Sequence, residues 1–424
     1  MEKMGVVAET SRPDWASLEE FVRVEAQHFI QRVLEEEVEA FLGRKKSERR
    51  LTADGTDGRC GTRGTSGYRN GYGKPRKVSL SVGTVEVRRP RVRGVDETFE
   101  SKVLPLFKRQ STAMQALLPE LYLHGLALRD FEQAMRGLLG DGAPLSAASM
   151  LRLKAKWAVE YDAWARRDLS DLELVYLWGD GIYVKAGLDD QKAALLVLIG
   201  ALSDGRKVVL AVESGHREST ESWSRVLRDL KARGLRAPQL TVGDGALGLW
   251  SALRGVYPES AEQRCWNHKL VNVLDRLPAK EQEHGKAALQ KIWHATDRAA
   301  AVTWKQEFRA TYGAAYPKAV ETLEKDWVML TAYFAFPQEH WKHLRTTNII
   351  ESPFAAVRLR TSAAKRFKRV ENATAMIWRL LRVAEQTFRK LNAPTLCADV
   401  YRGIRYTDGI AVNTEELDRE RIAA

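Results

Sequence analysis

LELVYLWGDGIYV at 172–184, AALLVLIGAL at 193–202, KVVLAVE at 207–213, TESWSRVLRDLKAR at 220–233, QLTVGDG at 239–245 and QRCW at 263–266 are the segments from which the architecture can be read. The first alternates, with Val175 and Leu177 on one side and Tyr176, Trp178 and Asp180 on the other, the period of a strand. The second is a nearly continuous apolar run, as in a strand covered on both faces. The third follows a Ser203-Asp204-Gly205 turn and reads as another strand. The fourth is an amphipathic helix ending at Gly234. Residues 239–242 form a fourth strand with a helix after it through Leu253, and 263–266 a short fifth strand. The predicted order is βββαβαβ, an α/β arrangement in which three strands precede any alternation with helices.

Asp180 lies in Trp178-Gly179-Asp180-Gly181 and Asp244 in Val242-Gly243-Asp244-Gly245. Each acid follows an apolar strand between glycines, which allow a backbone or a hydrated metal to approach closely. A lone carboxylate in a sheet is costly, and two on neighbouring strands repel unless a cation holds them. Mg²⁺ suits carboxylate and phosphate oxygens together. The plain alternative is a pair of turn aspartates in Asp-Gly dipeptides. A third acid, Glu351, is followed seven residues later by Arg358, two turns along one helix face. Asn348-x-x-Glu351 also reads as a capping box. Cys265-x-x-His268 is half a zinc site without a visible second half; both residues can be structural, or His268 can reach a phosphate.

The chain has 424 residues, room for two or three domains. No apolar run approaches the roughly 18 residues of a membrane span. No apolar signal region opens the chain, and three cysteines (Cys60, Cys265, Cys397) without a CxxC pair exclude a disulfide framework. A reducing cytoplasm is the expected compartment. The net charge is +12 and uneven. Residues 1–58 hold 9 Lys/Arg against 13 Asp/Glu, whereas 59–93 hold 10 against the single acid Glu86. A second basic run, 352–369, has six basic residues and no acid. Clustered basic charge points to nucleic acid.

Ser17-x-x-Glu20 reads as a capping box opening a helix. Its apolar stripe runs Val22, Ala26, Phe29, Ile30, Val33, Leu34, Val38, Phe41 and ends near Gly43. Residues 53–75 read as a loop, and 77–82 with 85–89 as a β-hairpin turning at Gly83-Thr84. Arg69, Lys74, Arg76, Lys77, Arg88, Arg89 and Arg91 are the expected DNA contacts here. Three helices follow at 114–124, 128–139 and 146–159, the last capped by Ser146. Their spacing suits a helix-turn-helix whose last helix offers Arg152, Lys154 and Lys156 to DNA; a plain helical linker is the rival. Residues 267–345 give only helical patterns, and a helix at 372–391 buries Ala373, Met376, Ile377, Leu380, Leu381, Ala384, Phe388 and Leu391.

Tyr68-Arg69-Asn70-Gly71-Tyr72, Arg88-Arg89-Pro90-Arg91, Leu121-Tyr122-x-x-Gly125-Leu126-x-x-Arg129-Asp130, the blocks at 178–181 and 242–245, Gln263-Arg264-Cys265-Trp266-x-His268-Lys269, Trp341-x-x-x-Arg345-Thr346-Thr347-Asn348-x-Ile350-Glu351-Ser352 and Phe354-Ala355-x-Val357-Arg358-Leu359-Arg360-Thr361 follow in order over about residues 60–410. Together they resemble the Mutator-type bacterial insertion-sequence transposases, the family numbered two hundred and fifty-six. Pro353, and a stretch at 365–369 less rich in glycine, depart from the pattern.

The resemblance implies a ribonuclease H-like catalytic domain with an α-helical insertion, after a mainly α N-terminal DNA-binding region with a β-hairpin. Its Asp-Asp-Glu triad falls on Asp180, Asp244 and Glu351, with Cys265, His268 and Arg358 near the DNA phosphate. It implies two Mg²⁺ ions (Mn²⁺ as substitute), terminal inverted repeats and target DNA as partners, and a homodimer. The expected segments are 1–58 helical, for dimerisation; 59–111 basic loop and hairpin; 112–168 helix-turn-helix; 169–278 first core part; 279–345 insertion; and 346–424 last core part. A domesticated, non-catalytic DNA-binding protein and a ribonuclease H-like nuclease are the alternatives.

Overall fold

The computed structural model describes residues 14–48, 67–106, 108–123, 125–126, 133–134, 136, 139, 147–186, 192–215, 217–245, 247–364 and 366–412. The chain divides into two compact units, Met1–Leu153 and Lys154–Ala424.

In the first unit, α1 (Leu18–Leu42) ends at Gly43, whose φ of 67° lets its N–H reach Glu39. The expected capping box is not formed: the Ser17 hydroxyl bonds Asp14, and Glu20 pairs with Arg23. The apolar stripe is buried only in its second half, at Leu34, Val38 and Leu42, while Phe29 is 56% exposed. Strand β1 (Tyr68–Tyr72) is followed by β2 (Arg76–Leu80), β3 (Gly83–Val87) and β4 (Pro90–Arg93). β2 and β3 form the expected hairpin, but the turn is Ser81-Val82, two residues early, because Val78 pairs with Val85 and Leu80 with Gly83. That register sends Val78, Val85 and Val87 into one cluster with Leu34 and Leu104. β1 pairs antiparallel with β4, so the end of the expected 53–75 loop is strand. Residues 53–66, Cys60, most of the expected 128–139 helix and the Ser146 cap lie outside the described residues. Of the three helices, α2 (Thr112–Leu123) and α3 (Ala147–Ala165) are seen, the latter longer than expected and shared by the two units.

The second unit continues with β5 (Leu174–Lys185), β6 (Lys192–Leu202), β7 (Lys207–Gly215), α4 (Thr220–Ala232), β8 (Leu240–Gly243), α5 (Leu247–Val256) and β9 (Ala261–Arg264), the βββαβαβ order read from the sequence. Five strands form one mixed sheet in the order β7-β6-β5-β8-β9. β5, β6 and β7 pair antiparallel; β5, β8 and β9 pair parallel. From β9 to Glu351 the chain is helical: α6 (Trp266–Leu274), α7 (Ala279–Trp293), α8 (Arg298–Tyr312), α9 (Pro317–Glu324), α10 (Trp327–Leu330), two 3₁₀ turns and α11 (Trp341–Leu344). Then come α12 (Asn348–Ala364), α13 (Val370–Glu385), α14 (Leu396–Tyr401) and the short strands β10 (Tyr406–Thr407) and β11 (Ile410–Ala411).

Both faces of the sheet are covered. On one, α4 and α5 bring Trp223, Val226, Leu227, Leu230, Leu249, Trp250 and Leu253 against Leu177, Leu196, Leu198 and Leu210. On the other, Tyr176 bonds His340 at 2.8 Å and Trp178 donates to the His343 carbonyl at 3.2 Å. The alternation in β5 therefore separates two covered faces, with Leu174–Trp178 wholly buried, rather than core from solvent. α13 stops at Glu385, short of the expected 391, where the Glu385 carboxylate turns to accept the N–H of Val209 on β7 at 2.8 Å.

Gly200 on β6 faces Leu174 and Leu210, whose side chains occupy the position of a Cβ. Gly200→Val is expected to destabilise the chain by about 1–3 kcal/mol through overpacking, seen as a lower thermal midpoint with the far-ultraviolet spectrum retained.

Candidate active site

The sheet register brings the two aspartates together. On the parallel strands β5 and β8, Gly179 is opposite Gly243, so Asp180 and Asp244 follow at the same height. β5 does not end at its acid: it runs on to Lys185 paired with β6, and Asp180 sits where β8 stops beside it.

The space beside the glycines around the acids is taken by side chains of this chain. A Cβ at Gly179 would stand 3.2 Å from Leu249 of α5, and one at Gly243 2.7 Å from the same residue, so these glycines let α5 pack onto both strands. At Gly181 the added carbon would meet the Glu218 side chain, and at Gly245 (φ +100°) the Arg264 guanidinium at 2.5 Å. Glu218 is an acid the sequence reading missed. It precedes Ser219, the N-cap of α4, whose side chain accepts the Ser222 N–H. One carboxylate oxygen each from Asp180, Glu218 and Asp244 lies within 4.8 Å of the others.

Glu351 enters from α12. Thr347 donates from its hydroxyl to the Glu351 carboxylate and from its backbone N–H to the Cys265 sulfur at 3.3 Å, with the hydroxyl oxygen 3.1 Å from that sulfur. His268 Nδ1 stands 3.8 Å from Glu351. The capping box at Asn348 is not used, since Asn348 lies inside the helix and its side chain accepts from Asn267. Pro353 also lies inside α12, buried, and the helix begins before it.

The 263–269 segment holds this corner together. Gln263 binds the Tyr333 N–H (2.8 Å) and the Leu330 carbonyl, and Trp266 donates to that same carbonyl (2.8 Å). Arg264 and Lys269 both pair with Asp326, with Lys269 almost fully buried. Strand β9 and helix α6 are thus tied to the following helices and to α12 at once.

The electrostatics are those of crowded acids. Burial, followed by Asp244, Glu218 and Glu351, pushes Asp180 up to about 7 against the lowering Gly181 N–H. Burial and Asp244 raise Glu218, opposed by a Tyr183 hydrogen bond and by His268. The Cys265 hydrogen bond lifts His268 to about 9, with Glu351 and Asp244 adding. Burial works to raise the Cys265 thiol, but hydrogen bonds from His268 and Thr347 outweigh it and hold it below its ordinary value. Oxygen donors at this separation fit a hard divalent cation, on which opposite ligands are about 4.2 Å apart.

Arg358 is exposed on α12, 5.9 Å from the Phe354 ring. Among the basic residues of the first unit, Lys74, Lys77, Arg88 and Arg91 are exposed. Arg69, Arg76 and Arg89 are engaged internally: Arg69 with Glu35 and Glu39, Arg76 with the Pro105 and Lys108 carbonyls, Arg89 with the Phe99 carbonyl and ring. On α3, Arg152 and Lys156 are exposed and Lys154 is half-buried.

A half-buried pair of aspartates beside a glutamate on a later helix defines a candidate metal-dependent site in an α/β unit. The family model described as "Transposase, Mutator family" matches residues 3–390, and the chain belongs to that family. It is similar to the transposase for insertion sequence element IS6120 of Mycolicibacterium smegmatis, 47% identical over 296 residues, 70% of this chain and 92% of the relative. It is similar to the transposase for element IST2 of Acidithiobacillus ferrooxidans, 43% identical over 295 residues, 69% of this chain and 100% of the relative. The transposase for IS256 in transposon Tn4001 of Staphylococcus aureus is 28% identical over 324 residues, 76% of this chain and 82% of the relative. The resemblance read from the motif blocks is borne out.

A carboxyl raised by folding binds its proton more tightly folded than unfolded. Metal-free stability therefore falls as pH rises from about 4, the unfolded value, to about 7, the folded value of Asp180. Asp180→Asn is expected to stabilise the metal-free chain at pH 8 by on the order of 2 kcal/mol, a gain that vanishes toward pH 4 in thermal melts with chelator. Asp326→Ala, which strands the buried charges of Arg264 and Lys269, is expected to cost about 3–5 kcal/mol in the same melts.

Proposed function

We propose that this chain is a metal-dependent DNA transposase with a ribonuclease H-like catalytic unit, acting on the terminal inverted repeats of its own insertion sequence. The convergence of Asp180 and Asp244, from parallel strands in register, with Glu351 from α12 beside His268 carries the reading. The sheet order β7-β6-β5-β8-β9, with its first three strands antiparallel, supports the architecture.

Asp180, Asp244 and Glu351 would hold two Mg²⁺ ions, with Mn²⁺ as a substitute. When bound, Mg²⁺ supplies a Lewis acid for the phosphodiester and lowers the pKa of a coordinated hydroxyl. The chain's own residues do the rest. Thr347 and His268 hold the Glu351 carboxylate in place. His268, protonated near neutral pH, offers positive charge toward a DNA phosphate beside the acids. Arg358 and the basic run around it grip the backbone. Lys74, Lys77, Arg88 and Arg91 of the first unit, and Arg152 and Lys156 of α3, contribute contacts to the repeat. Hydrolysis breaks a P–O3′ bond at the element's end and leaves a 3′-hydroxyl. That hydroxyl then attacks a target phosphodiester, forming one P–O bond as another breaks. Two ends are joined in one event, so a homodimer is the working form. No helix among the described residues is long and apolar enough to cross a membrane, and the reaction belongs with the bacterial DNA in the cytoplasm.

Labelled DNA bearing the element's own terminal repeat, incubated with Mg²⁺, is expected to yield repeat-specific 3′-hydroxyl ends with wild type. Asp180→Asn and Glu351→Gln are expected to bind the repeat at wild-type affinity and give only background cutting. Equal cutting by wild type and variants would refute the assignment of the triad. Binding without cutting by wild type would favour a non-catalytic DNA-binding protein.

A further inference from the structure

We propose that Glu218 is a metal ligand, forming with Asp180 and Asp244 one cation subsite to which Glu351 does not belong. The inference rests on the metal-dependent reading above and deepens it.

The grouping of donor atoms is the first argument. One oxygen each from Asp180, Glu218 and Asp244 falls within 4.8 Å of the others, whereas Glu351 groups with Cys265 and His268. Around one octahedral Mg²⁺ the widest ligand separation is about 4.2 Å, so the first three close on an ion with a small adjustment. Three carboxylates this near repel strongly in a partly buried setting, and a divalent cation reverses the sign.

The second argument is the space left for this residue. A side chain at Gly181 on β5 would overlap the Glu218 side chain, and one at Gly248 on α5 would overlap the Glu218 carbonyl oxygen. Gly181 thus leaves room for the Glu218 side chain, and Gly248 for the backbone from Glu218 to Thr220 that carries it, although glycine is a poor helix former at 248. The third is orientation. The Ser219 cap fixes the backbone just after Glu218, and Tyr183 of β5 hydrogen-bonds its carboxylate. A glutamate serving only as acceptor for a half-exposed tyrosine has no need to stand against Asp244.

The test uses full-length protein stripped with chelator and titrated with Mn²⁺ alone, free Mn²⁺ being read by electron paramagnetic resonance. Glu218→Gln is expected to weaken the tightest site by about tenfold or more, while Glu351→Gln leaves that site within about threefold of wild type. Glu218→Asp, which keeps the charge on a shorter arm, is expected to fall between wild type and Glu218→Gln. If circular dichroism shows Glu218→Gln unfolded, Glu218→Asp decides: weakened binding supports the proposal and wild-type affinity overturns it. A Glu218→Gln protein that binds like wild type while Asp244→Asn does not would overturn the proposal and leave the metal-dependent reading standing. Equal loss in Glu218→Gln and Glu351→Gln would overturn the separation of subsites. Wild type that takes up no Mn²⁺ would overturn both readings together.

Discussion

The parallel pairing of β5 with β8 is the constraint on which the site depends. With Gly179 opposite Gly243, two aspartates far apart in sequence emerge at one height on neighbouring strands. A shift of one residue would turn one acid to the opposite face of the sheet. The register is held from both faces: Leu249 lies against both glycines from α5, and Trp178 is anchored to the backbone at His343. The electrostatic tension at the site is thus a product of packing elsewhere. Hydrophobic burial forces together carboxylates that would otherwise separate.

The third acid is held differently. Glu351 belongs to a helix, and its position relative to the strands depends on the short segment after β9. Cys265 and Thr347 join the start of α6 to the start of α12. Gln263 and Trp266 fasten the same segment to the backbone around Leu330 and Tyr333. The side chains of the motif converge on a few later points, Asp326, the Leu330 carbonyl and Thr347, so local sequence carries long-range structure. His268 is the member that also reaches a carboxylate of the site.

Much of this was legible in the sequence because it rests on short-range patterns. The apolar run at 193–202, the helix at 220–233 and the Asp-Gly pairs gave the strand order and both aspartates. What stayed hidden depends on tertiary contact. Glu218 sits in a turn, and its place beside Asp244 follows from α4 packing against α5 and β7, which no local period records. Gly83-Thr84 has turn chemistry, yet the hairpin turns two residues earlier because the pairing of Val78 with Val85 sets the register. Ser17 and Asn348 both match capping patterns, yet Asp14 and Asn267 take their side chains instead. Arg69 looks like a DNA contact by charge, but two glutamates of α1 lie against it.

The triad of Arg264, Asp326 and Lys269 has a consequence for building hybrid proteins. One acid, just before α10, serves two bases, Arg264 at the end of β9 and Lys269 on α6. Each partner becomes a buried, uncompensated charge once the other is exchanged. A graft of the helices from a relative must therefore begin before Arg264, because a seam cut after Lys269 would divide the charges between two parents. The natural unit of exchange along this chain is set by a buried ion cluster and not by the ends of its helices.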